Sequence, residues 1–348
     1  MRCLGLLALA AAMARAEDPA HKAARERQER FKTVEAKLKQ VSHIRKGSQS
    51  AQFSEPSAGT GDIPAEDMTL EARIRVILDG KKARVEDGRP TFYFPSGKLL
   101  QRRRLSVTDT AVAKTLNTYA GDEWQAGTVW PTPVCAAAKD EAILPLLVFF
   151  RGNDPSLSGW TISGTKRAGE SQAVDGAACD KYSIAVQNFS AHFWLEAASD
   201  YRLRRYAEVE KGHLVRQIDV AYAAHPSRGT LPSGWTNARF APGGRLLQSS
   251  SVVVEELRFP EAVPPKEFEL VFPPKTRYTD MRHRNEYEVR DDGSRWDYDP
   301  SGAKPPAPAP ETSWLERYRW PLVAAFLVLA LGFYLYCIRR KCMTIKSL

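Results

Sequence analysis

Uncharged apolar runs lie near both ends of this chain, and alternating apolar and polar positions dominate the stretch between them. The first run, residues 3–14, follows Arg2 and ends at Ala14, with Ala16 two residues later. A basic start, a short apolar core and small residues before the cut predict a secretory signal peptide, residues 1–16, cleaved after Ala16. The alternative is an uncleaved anchor, but about a dozen apolar residues are too few to span a hydrocarbon core of roughly 30 Å.

The second run covers residues 321–338 without a charge. At about 1.5 Å per residue it reaches roughly 27 Å, enough for one transmembrane helix. Aromatic residues precede it, and Arg339, Arg340 and Lys341 follow it, so the tail 339–348 is predicted to be cytoplasmic. A buried core helix is the alternative, which the flanking aromatic and basic residues disfavour. The pattern leaves open whether this segment is a permanent anchor or a sorting signal removed after export.

The stretch after the signal peptide has the period of a helix. Phe31, Val34, Leu38, Val41 and Ile44 recur at steps of three and four among charged residues. This spacing predicts that residues 17–46 form an amphipathic helix whose narrow apolar stripe packs on a sheet.

The period then changes to two. Apolar residues alternate with charged ones over 71–78, and Asp79-Gly80 predicts a hairpin turn. Further strands are predicted at 91–94 and 102–109, and in a long antiparallel meander that turns at Lys211-Gly212 and includes an alternation through Phe268, Leu270 and Phe272. A helix near 111–119 and an apolar piece at 142–152 are predicted to cover the sheet, because an antiparallel sheet with one apolar face needs a cover.

The proline-rich residues 298–313 predict a semi-rigid stalk between the exported region and the membrane.

The net charge is much smaller once the two ends of the chain are set aside. The whole chain carries +9, but six basic residues lie in the signal peptide and tail, which leaves 44 basic and 41 acidic residues, or +3. This near balance gives no electrostatic reason to predict a nucleic-acid partner. The run Arg102-Arg103-Arg104 is interpreted as a solvated strand edge or loop, with contact to an anionic headgroup as the alternative.

Cys135 and Cys179 are the two cysteines of the exported region. In an oxidising compartment they predict one disulfide, which stabilises the fold by about 4 kcal/mol in the chain-entropy model, and two buried thiols are the alternative.

Catalytic and metal-binding motifs are missing from the sequence, which contains no HExxH, GxSxG, GxxxxGK[ST] or post-strand GxGxxG pattern. We therefore predict no enzyme activity, no cofactor and no metal site. Residues 291–299 bunch four carboxylates, but the Asp292-Gly293 pair predicts a turn there in preference to a calcium loop.

Aromatic residues recur along the predicted strands, and each one by itself is best interpreted as ordinary core. Together they are consistent with an apolar concavity that binds a hydrophobic ligand. The candidates for lining this cavity are Phe92, Phe94, Trp160, Phe193, Trp194, Trp235, Phe268 and Phe272.

Four segments, residues 30–53, 76–87, 192–212 and 268–281, resemble the bacterial LolA/LolB lipoprotein-carrier superfamily, which includes periplasmic sensors of the RseB kind. They are an N-terminal helix leading into a strand, a hairpin, a Trp-containing strand followed by a Leu-Arg strand, and a closing phrase of alternating apolar residues, prolines and Asp280. The resemblance implies an α+β, mainly antiparallel fold, in which residues 47–297 form an unclosed barrel wrapped around helices. It also implies a cavity for acyl chains or another hydrophobic partner.

The sequence thus predicts a single-pass protein of a bacterial cytoplasmic membrane whose periplasmic half-barrel binds a lipid or lipidated protein as a carrier or sensor. The alternative is a regulatory or interaction protein that uses the same sheet to bind a protein partner.

Overall fold

The computed structural model describes residues 17–48, 63–93, 98–121, 125–131, 140–154 and 162–298. Within these ranges the chain forms mostly antiparallel sheet with two α-helices, α1 (Pro19–Arg30) and α2 (Leu144–Arg151). The strands are β1 Thr33–Ile44, β2 Met68–Asp79, β3 Lys82–Tyr93, β4 Lys98–Thr108, β5 Ala113–Tyr119, β6 Gln125–Trp130, β7 Lys166–Arg167, β8 Gln172–Val174, β9 Ala177–Val186, β10 Phe189–Glu196, β11 Arg202–Glu210, β12 His213–His225, β13 Gly229–Phe240, β14 Leu246–Arg258, β15 Thr276–Asp280, β16 Asn285–Val289 and β17 Arg295–Asp297.

The strands form one unclosed sheet. Strands β7 and β8 both pair with β9, and consecutive hairpins then lead from β9 to β14. Strand β14 pairs with β1, and the sheet continues from β1 through β6 to β15, β16 and β17. The described pairs are antiparallel except for β6 with β15. The N-terminal strand β1 therefore joins two runs of strands that are distant in sequence.

The two faces of the sheet have different covers. The helix face, which carries Val34, Leu38 and Ile74, packs against α1 and α2 in the main core. Every residue of α2 is buried, because it crosses this apolar face. The outer face carries a second cluster of Ile77, Val107, Phe268 and Leu270.

The predicted amphipathic helix over 17–46 is correct for 19–30 and wrong for 33–44, which form β1. Asp18 caps α1 by accepting a hydrogen bond from the Ala20 backbone N–H at 2.9 Å, and Pro19 occupies the first turn. The even positions of β1 are all buried, but two of them, Gln40 and Ser42, are polar. These two residues concealed the period of two and left a helical spacing among the remaining apolar residues.

Two further predictions are corrected. The helix near 111–119 is wrong, since Ala113–Tyr119 forms β5 between β4 and β6. The strand through Phe268, Leu270 and Phe272 is also wrong. A 3₁₀ turn at Pro265–Phe268 is followed by extended backbone outside the sheet, and we refer to residues 259–275 as the strap. Proline pairs at 264–265 and 273–274 lie within the strap on either side of residues 266–272. Prolines lack the backbone N–H groups that hydrogen bonding to a neighbouring strand needs.

Other local predictions are confirmed. The chain turns tightly between Asp79 and Lys82 and again at Lys211-Gly212, where both residues have positive φ. The Asp292-Gly293 turn joins β16 to β17. The apolar piece at 142–152 contains α2, which covers the sheet.

Several predicted segments lie outside the described residues: the signal peptide 1–16, the stalk beyond Tyr298, the transmembrane segment 321–338 and the tail 339–348. Neither of the two described helices is long and apolar enough to cross a membrane. Cys179 is buried and forms no disulfide with another described residue, and burial raises the pKa of its thiol. Its predicted partner Cys135 is not among the described residues, so the disulfide stays a prediction.

Two glycines form a matched pair for testing the packing of the sheet. A Cβ added at Gly127 on β6 would lie 2.7 Å from Tyr278 Cβ on β15, whereas one added at Gly88 on β3 would meet nothing within 4 Å. We expect Gly127→Ala to lower the free energy of unfolding by about 1–3 kcal/mol, because the parallel β6–β15 pair must separate. Gly88→Ala should leave it unchanged or raise it slightly. Urea unfolding measures both, and equal losses would contradict the described β6–β15 pairing.

Candidate ligand-binding site

Most of the helix face is filled by solid core. Phe31 packs against Phe149 and Phe150 of α2, with ring centroids 6.4 and 5.3 Å apart. Phe193 contacts Tyr206 at 5.1 Å, and the Trp235 indole N–H donates to the Glu141 carbonyl at 3.2 Å. Phe193 and Trp235, two of the predicted cavity residues, therefore belong to the core.

The structure does not bring the predicted aromatic set together. Phe268 and Phe272 lie in the strap on the outer face. Trp194 is half-buried beside Gln172, which accepts its indole N–H at 2.8 Å. Phe92 alone lines the cavity described next. Phe94 and Trp160 are not among the described residues.

A cavity of about 370 Å³ lies at the end of the helix face that α2 leaves open. We call it the arginine chamber. It is lined by Gln40, Ser42, Ile44, Leu70, Glu71, Ala72, Arg89, Pro90, Thr91, Phe92, Arg102, Arg104, Asp140, Glu141, Arg239 and Gln248. Its volume is at the lower end of the range for small-molecule sites, which suits one compact polar group.

Three arginines and two aspartates form the centre of the chamber. Register places Asp87 opposite Arg104, and Arg89 opposite Arg102, on the paired strands β3 and β4. The Asp87 carboxylate lies 2.7 Å from Arg89, 3.2 Å from Arg102 and 3.2 Å from Arg104. Asp140 binds Arg89 at 2.9 Å and also binds Arg104. Three guanidinium groups thus share two carboxylates, which leaves one positive charge without compensation.

The predicted solvated position of the Arg102-Arg103-Arg104 run is wrong for its first and third members. Their side chains point toward buried Asp87 and are 19% and 16% exposed, whereas Arg103 is exposed. The strand period of two explains the split, because neighbouring residues face opposite sides.

The pKa shifts follow from this crowding. Burial alone would raise the pKa of Asp140, but Arg89 and Arg104 hold it well below its ordinary value. Burial opposes the charge of Arg89, yet Asp140 and Asp87 raise its pKa. Burial and the neighbouring Arg104 lower the pKa of Arg102. Arg102 therefore has the weakest electrostatic support, and an added anion would stabilise it most.

The start of α2 supplies the acids of the chamber. The Asp140 side chain accepts the Ala142 N–H at 3.0 Å, and its backbone carbonyl accepts from Leu144. The next residue, Glu141, accepts from Arg239 at 2.7 Å and from Gln248 at 3.5 Å. Docking α2 into the core therefore also fixes both carboxylates.

Several buried polar atoms at the chamber have no hydrogen-bond partner among the described residues. Both side-chain amide atoms of Gln40 are unpaired although the residue is 1% exposed, and the Nε atoms of Arg102 and Arg104 are unpaired as well. On the neighbouring strands, Asn237 and Ser250 are 2% and 3% exposed and also have unpaired side-chain atoms. Leaving one such group unsatisfied costs about 1–3 kcal/mol, so a cluster of them is suited to hold ordered water or a polar ligand.

The sequence contained a signal for this site that the prediction missed. Gln40 and Ser42 are polar residues at buried positions of a strand, and Asp140 and Glu141 directly precede a strongly apolar helix. Within the described ranges, no group of three His, Cys, Asp or Glu residues comes together in a way that could hold a metal ion. The arrangement is suited to binding a carboxylate or phosphate through guanidinium and amide groups.

No protein-family model and no curated protein sequence matches this chain. Among solved structures, PNGF-II in its P21 crystal form aligns with 72% of this chain at 9% identity and a TM-score of 0.25. The chain spans about a third (32%) of the length of PNGF-II. The enduracididine biosynthesis enzyme MppR aligns with 65% of this chain and 87% of its own at 8% identity, with a TM-score of 0.14. An acetoacetate decarboxylase-like enzyme from Sphingomonas wittichii RW1 covers 67% of this chain and 94% of its own at 10% identity, with a TM-score of 0.11. Similarity at this level indicates neither fold nor function for this chain.

Proposed function

We propose that this chain is a membrane-tethered binding protein of a bacterial envelope, which holds an anionic amphipathic ligand in the arginine chamber and acts as its carrier or sensor. One observation carries the proposal: buried Gln40, Arg102 and Arg104 have unpaired polar atoms at a cavity with an excess positive charge. A carboxylate or phosphate would accept from these donors and compensate that charge.

Apolar side chains account for the second half of the ligand. Ile44, Leu70 and Phe92 line the same cavity as the arginines. A ligand with a charged head and a short stretch of hydrocarbon would match both parts of this lining. This pairing supports a short anionic lipid as the class of ligand, whereas the acyl chain of a lipidated protein would match the apolar part of the lining alone.

The proposal includes an architecture and a location. An unclosed sheet packed on two helices is compatible with a half-barrel that curves around α1 and α2, as the resemblance to LolA, LolB and RseB implies. A signal peptide at 1–16, a stalk at 298–313 and a transmembrane helix at 321–338 would hold this domain outside the cytoplasmic membrane.

Binding is a better account of the chamber than catalysis. A general acid or base works best with a pKa near the operating pH. The shifts at Asp140 and Arg89 move both groups further from neutrality, so each keeps its charge. Fixed charges of this kind recognise a ligand and do not exchange protons with it.

The test is titration of the full-length protein with dioctanoyl phosphatidylglycerol, decanoate and the uncharged dioctanoylglycerol, followed by calorimetry and by the shift in melting temperature. We expect the two anions to bind at least about tenfold more tightly than the uncharged lipid, which corresponds to about 1.4 kcal/mol. Comparing dioctanoyl phosphatidylglycerol with decanoate distinguishes preference for a phosphate head from preference for a carboxylate head. Equal affinity for the uncharged lipid, or no binding of any of the three, would overturn the proposal.

Variants connect this binding to the chamber. Gln40→Leu should weaken anion binding about tenfold while leaving the melting temperature unchanged or higher, because it removes an unsatisfied buried amide. Arg102→Met should also weaken anion binding. The matched control is Arg205→Met, which removes an arginine paired with Asp219 elsewhere on the sheet and should leave affinity unchanged.

A further inference from the structure

A second cavity lies on the outer face of the strands that form the chamber. It is a groove of about 590 Å³ across β14 and β1–β5. Its cationic side chains are Lys37, Arg73, Arg75, Arg84 and Arg103, and its acidic side chains on this face are Glu86 and Glu255. We call it the outer groove. Its size is in the middle of the range for binding sites. Lys37, Arg75 and Arg84 are paired with carboxylates, so among the described residues Arg73 and Arg103 are the groove cations without an ion pair.

Gly88 forms the floor of the outer groove between two arginines. Register places Arg73 on β2 and Arg103 on β4 directly opposite Gly88 on β3. Among the described residues neither guanidinium forms an ion pair, and both side chains are exposed. Leu105 and Leu116 lie next to this row and form an apolar wall. The groove thus offers two free cations, an open floor and a hydrophobic side.

The strap shows how the outer face binds a glutamate that is followed by apolar residues. Glu267 lies 3.5 Å from Arg75 and 3.6 Å from Arg84, and its carbonyl accepts from Arg84 at 2.9 Å. The following apolar side chains, Phe268 and Leu270, are buried in one cluster with Ile77 and Val107. The charged contacts select the acidic residue, and the buried apolar residues supply most of the binding free energy.

The outer groove continues this chemistry. Arg75 and Arg84, which bind Glu267, also line the groove, and the row from Arg73 to Arg103 adds two cations that have no ion pair with a described residue. The distance from β1 to β5 covers four strand spacings, or about 19 Å, which matches about six residues of extended chain. The exposed guanidinium groups of Arg73 and Arg103 beside a leucine wall are complementary to a segment that mixes acidic and apolar residues.

We infer that the outer groove docks an extended, acidic and apolar segment of a protein partner, in the way that the strap docks on the same face. This goes beyond the proposed ligand function. The side chains of Arg73 and Arg103 lie on the face opposite Arg102 and Arg104, so a carrier or sensor could hold its ligand and engage a partner at the same time.

The experiment uses the purified full-length chain and a fluorescein-labelled nine-residue peptide of alternating Glu and Leu, with a peptide that has Gln for every Glu as the control. Fluorescence anisotropy should show that the acidic peptide binds at least about tenfold more tightly, and that its affinity falls as salt rises from about 50 to 500 mM. Gly88→Val should weaken binding about fivefold or more without lowering the melting temperature, because a Cβ at this position meets nothing within 4 Å. The double change Arg73→Glu with Arg103→Glu should weaken binding more strongly.

The double change Lys166→Glu with Lys211→Glu, at two exposed lysines outside the groove, is the charge-matched control and should leave peptide affinity unchanged. Equal binding of the two peptides, or full binding by the Gly88→Val protein, would overturn the inference. So would tighter binding of dioctanoyl phosphatidylglycerol with the same dependence on Arg73 and Arg103, since the groove would then be a lipid site. The proposed ligand function is tested separately, because it fails if the protein does not bind the anionic lipid, whatever the result with the peptides.

Discussion

Replacing Arg151 with leucine is expected to lower the free energy of unfolding by about 4 kcal/mol. Arg151 is the last residue of α2 and is 0% exposed. Its guanidinium donates to the carbonyl oxygens of Phe31 at 2.8 Å, Lys32 at 2.6 Å and Gly80 at 2.9 Å. One side chain therefore joins α2 to the α1–β1 corner and to the β2–β3 turn.

The size of the effect follows from what leucine leaves behind. Burial lowers the pKa of Arg151 to about 10, which reflects how little water reaches the group. Removing its donors leaves the buried Phe31 carbonyl without this partner, at about 1–3 kcal/mol, and breaks the contacts to the Lys32 and Gly80 carbonyls. The shorter side chain also adds a cavity. Since domains are usually stable by only about 5–15 kcal/mol, the variant should be close to unfolding at 37 °C.

Urea unfolding followed by tryptophan fluorescence measures this loss. Arg151→Lys keeps the charge but has three donors on one nitrogen, so we expect a smaller loss of about 2 kcal/mol. Arg258→Leu is the control, because that side chain is 63% exposed and its ion pair with Glu256 lies at the surface, and its change should be within about 0.5 kcal/mol. A loss below about 1 kcal/mol for Arg151→Leu would show that the Arg151 guanidinium does not form the described hydrogen bonds.

The second large effect is expected at Asp140. Asp140→Ala should lower the free energy of unfolding by about 3 kcal/mol, because Arg89 and Arg104 remain in a largely buried site with only Asp87 to balance three guanidinium groups. The change also removes the acceptor of the Ala142 N–H at the start of α2. Urea unfolding at pH 7 measures the loss, and Asp292→Ala, at an exposed turn, is the control.

The pH dependence of Asp140 gives a further readout. Its pKa in the folded protein lies well below the ordinary value of 3.8, so the unfolded chain binds more protons than the native one as the pH falls through that value. The stabilisation from this carboxylate is therefore complete above about pH 5 and is progressively lost below about pH 4. The difference in unfolding free energy between the native protein and Asp140→Asn should shrink from pH 5 to pH 3. A difference that stays constant would contradict the assigned ion pairs.

Where sequence reasoning failed is informative about function. The helix predicted over 33–44 is a strand because Gln40 and Ser42 interrupt its apolar alternation, and both residues line the arginine chamber. The solvated arginine run was predicted wrongly because two of its members bind Asp87 across the same chamber. Residues that break a local rule at buried positions often do so for binding, because the rule describes packing and not ligands.

The aromatic prediction failed for a different reason. Aromatic residues on strands fill cores as well as ligand cavities, and sequence does not distinguish the two uses. Phe193 and Trp235 pack in the main core, while Phe268 packs under the strap. Only the placement of α2 shows which part of the helix face is filled and which part stays open.

By itself, the sequence determined the hairpins at 79–82, 211–212 and 292–293, the antiparallel strand-rich class and the apolar cover at 142–152. These depend on interactions between neighbours in the chain, where turn residues and alternation act locally. The tertiary structure alone decided that β1 joins the two runs of strands and that residues 40, 87, 102, 104 and 140 meet in one chamber. Contacts between residues this far apart depend on register and on the docking of α2, and those arise only when the sheet is assembled.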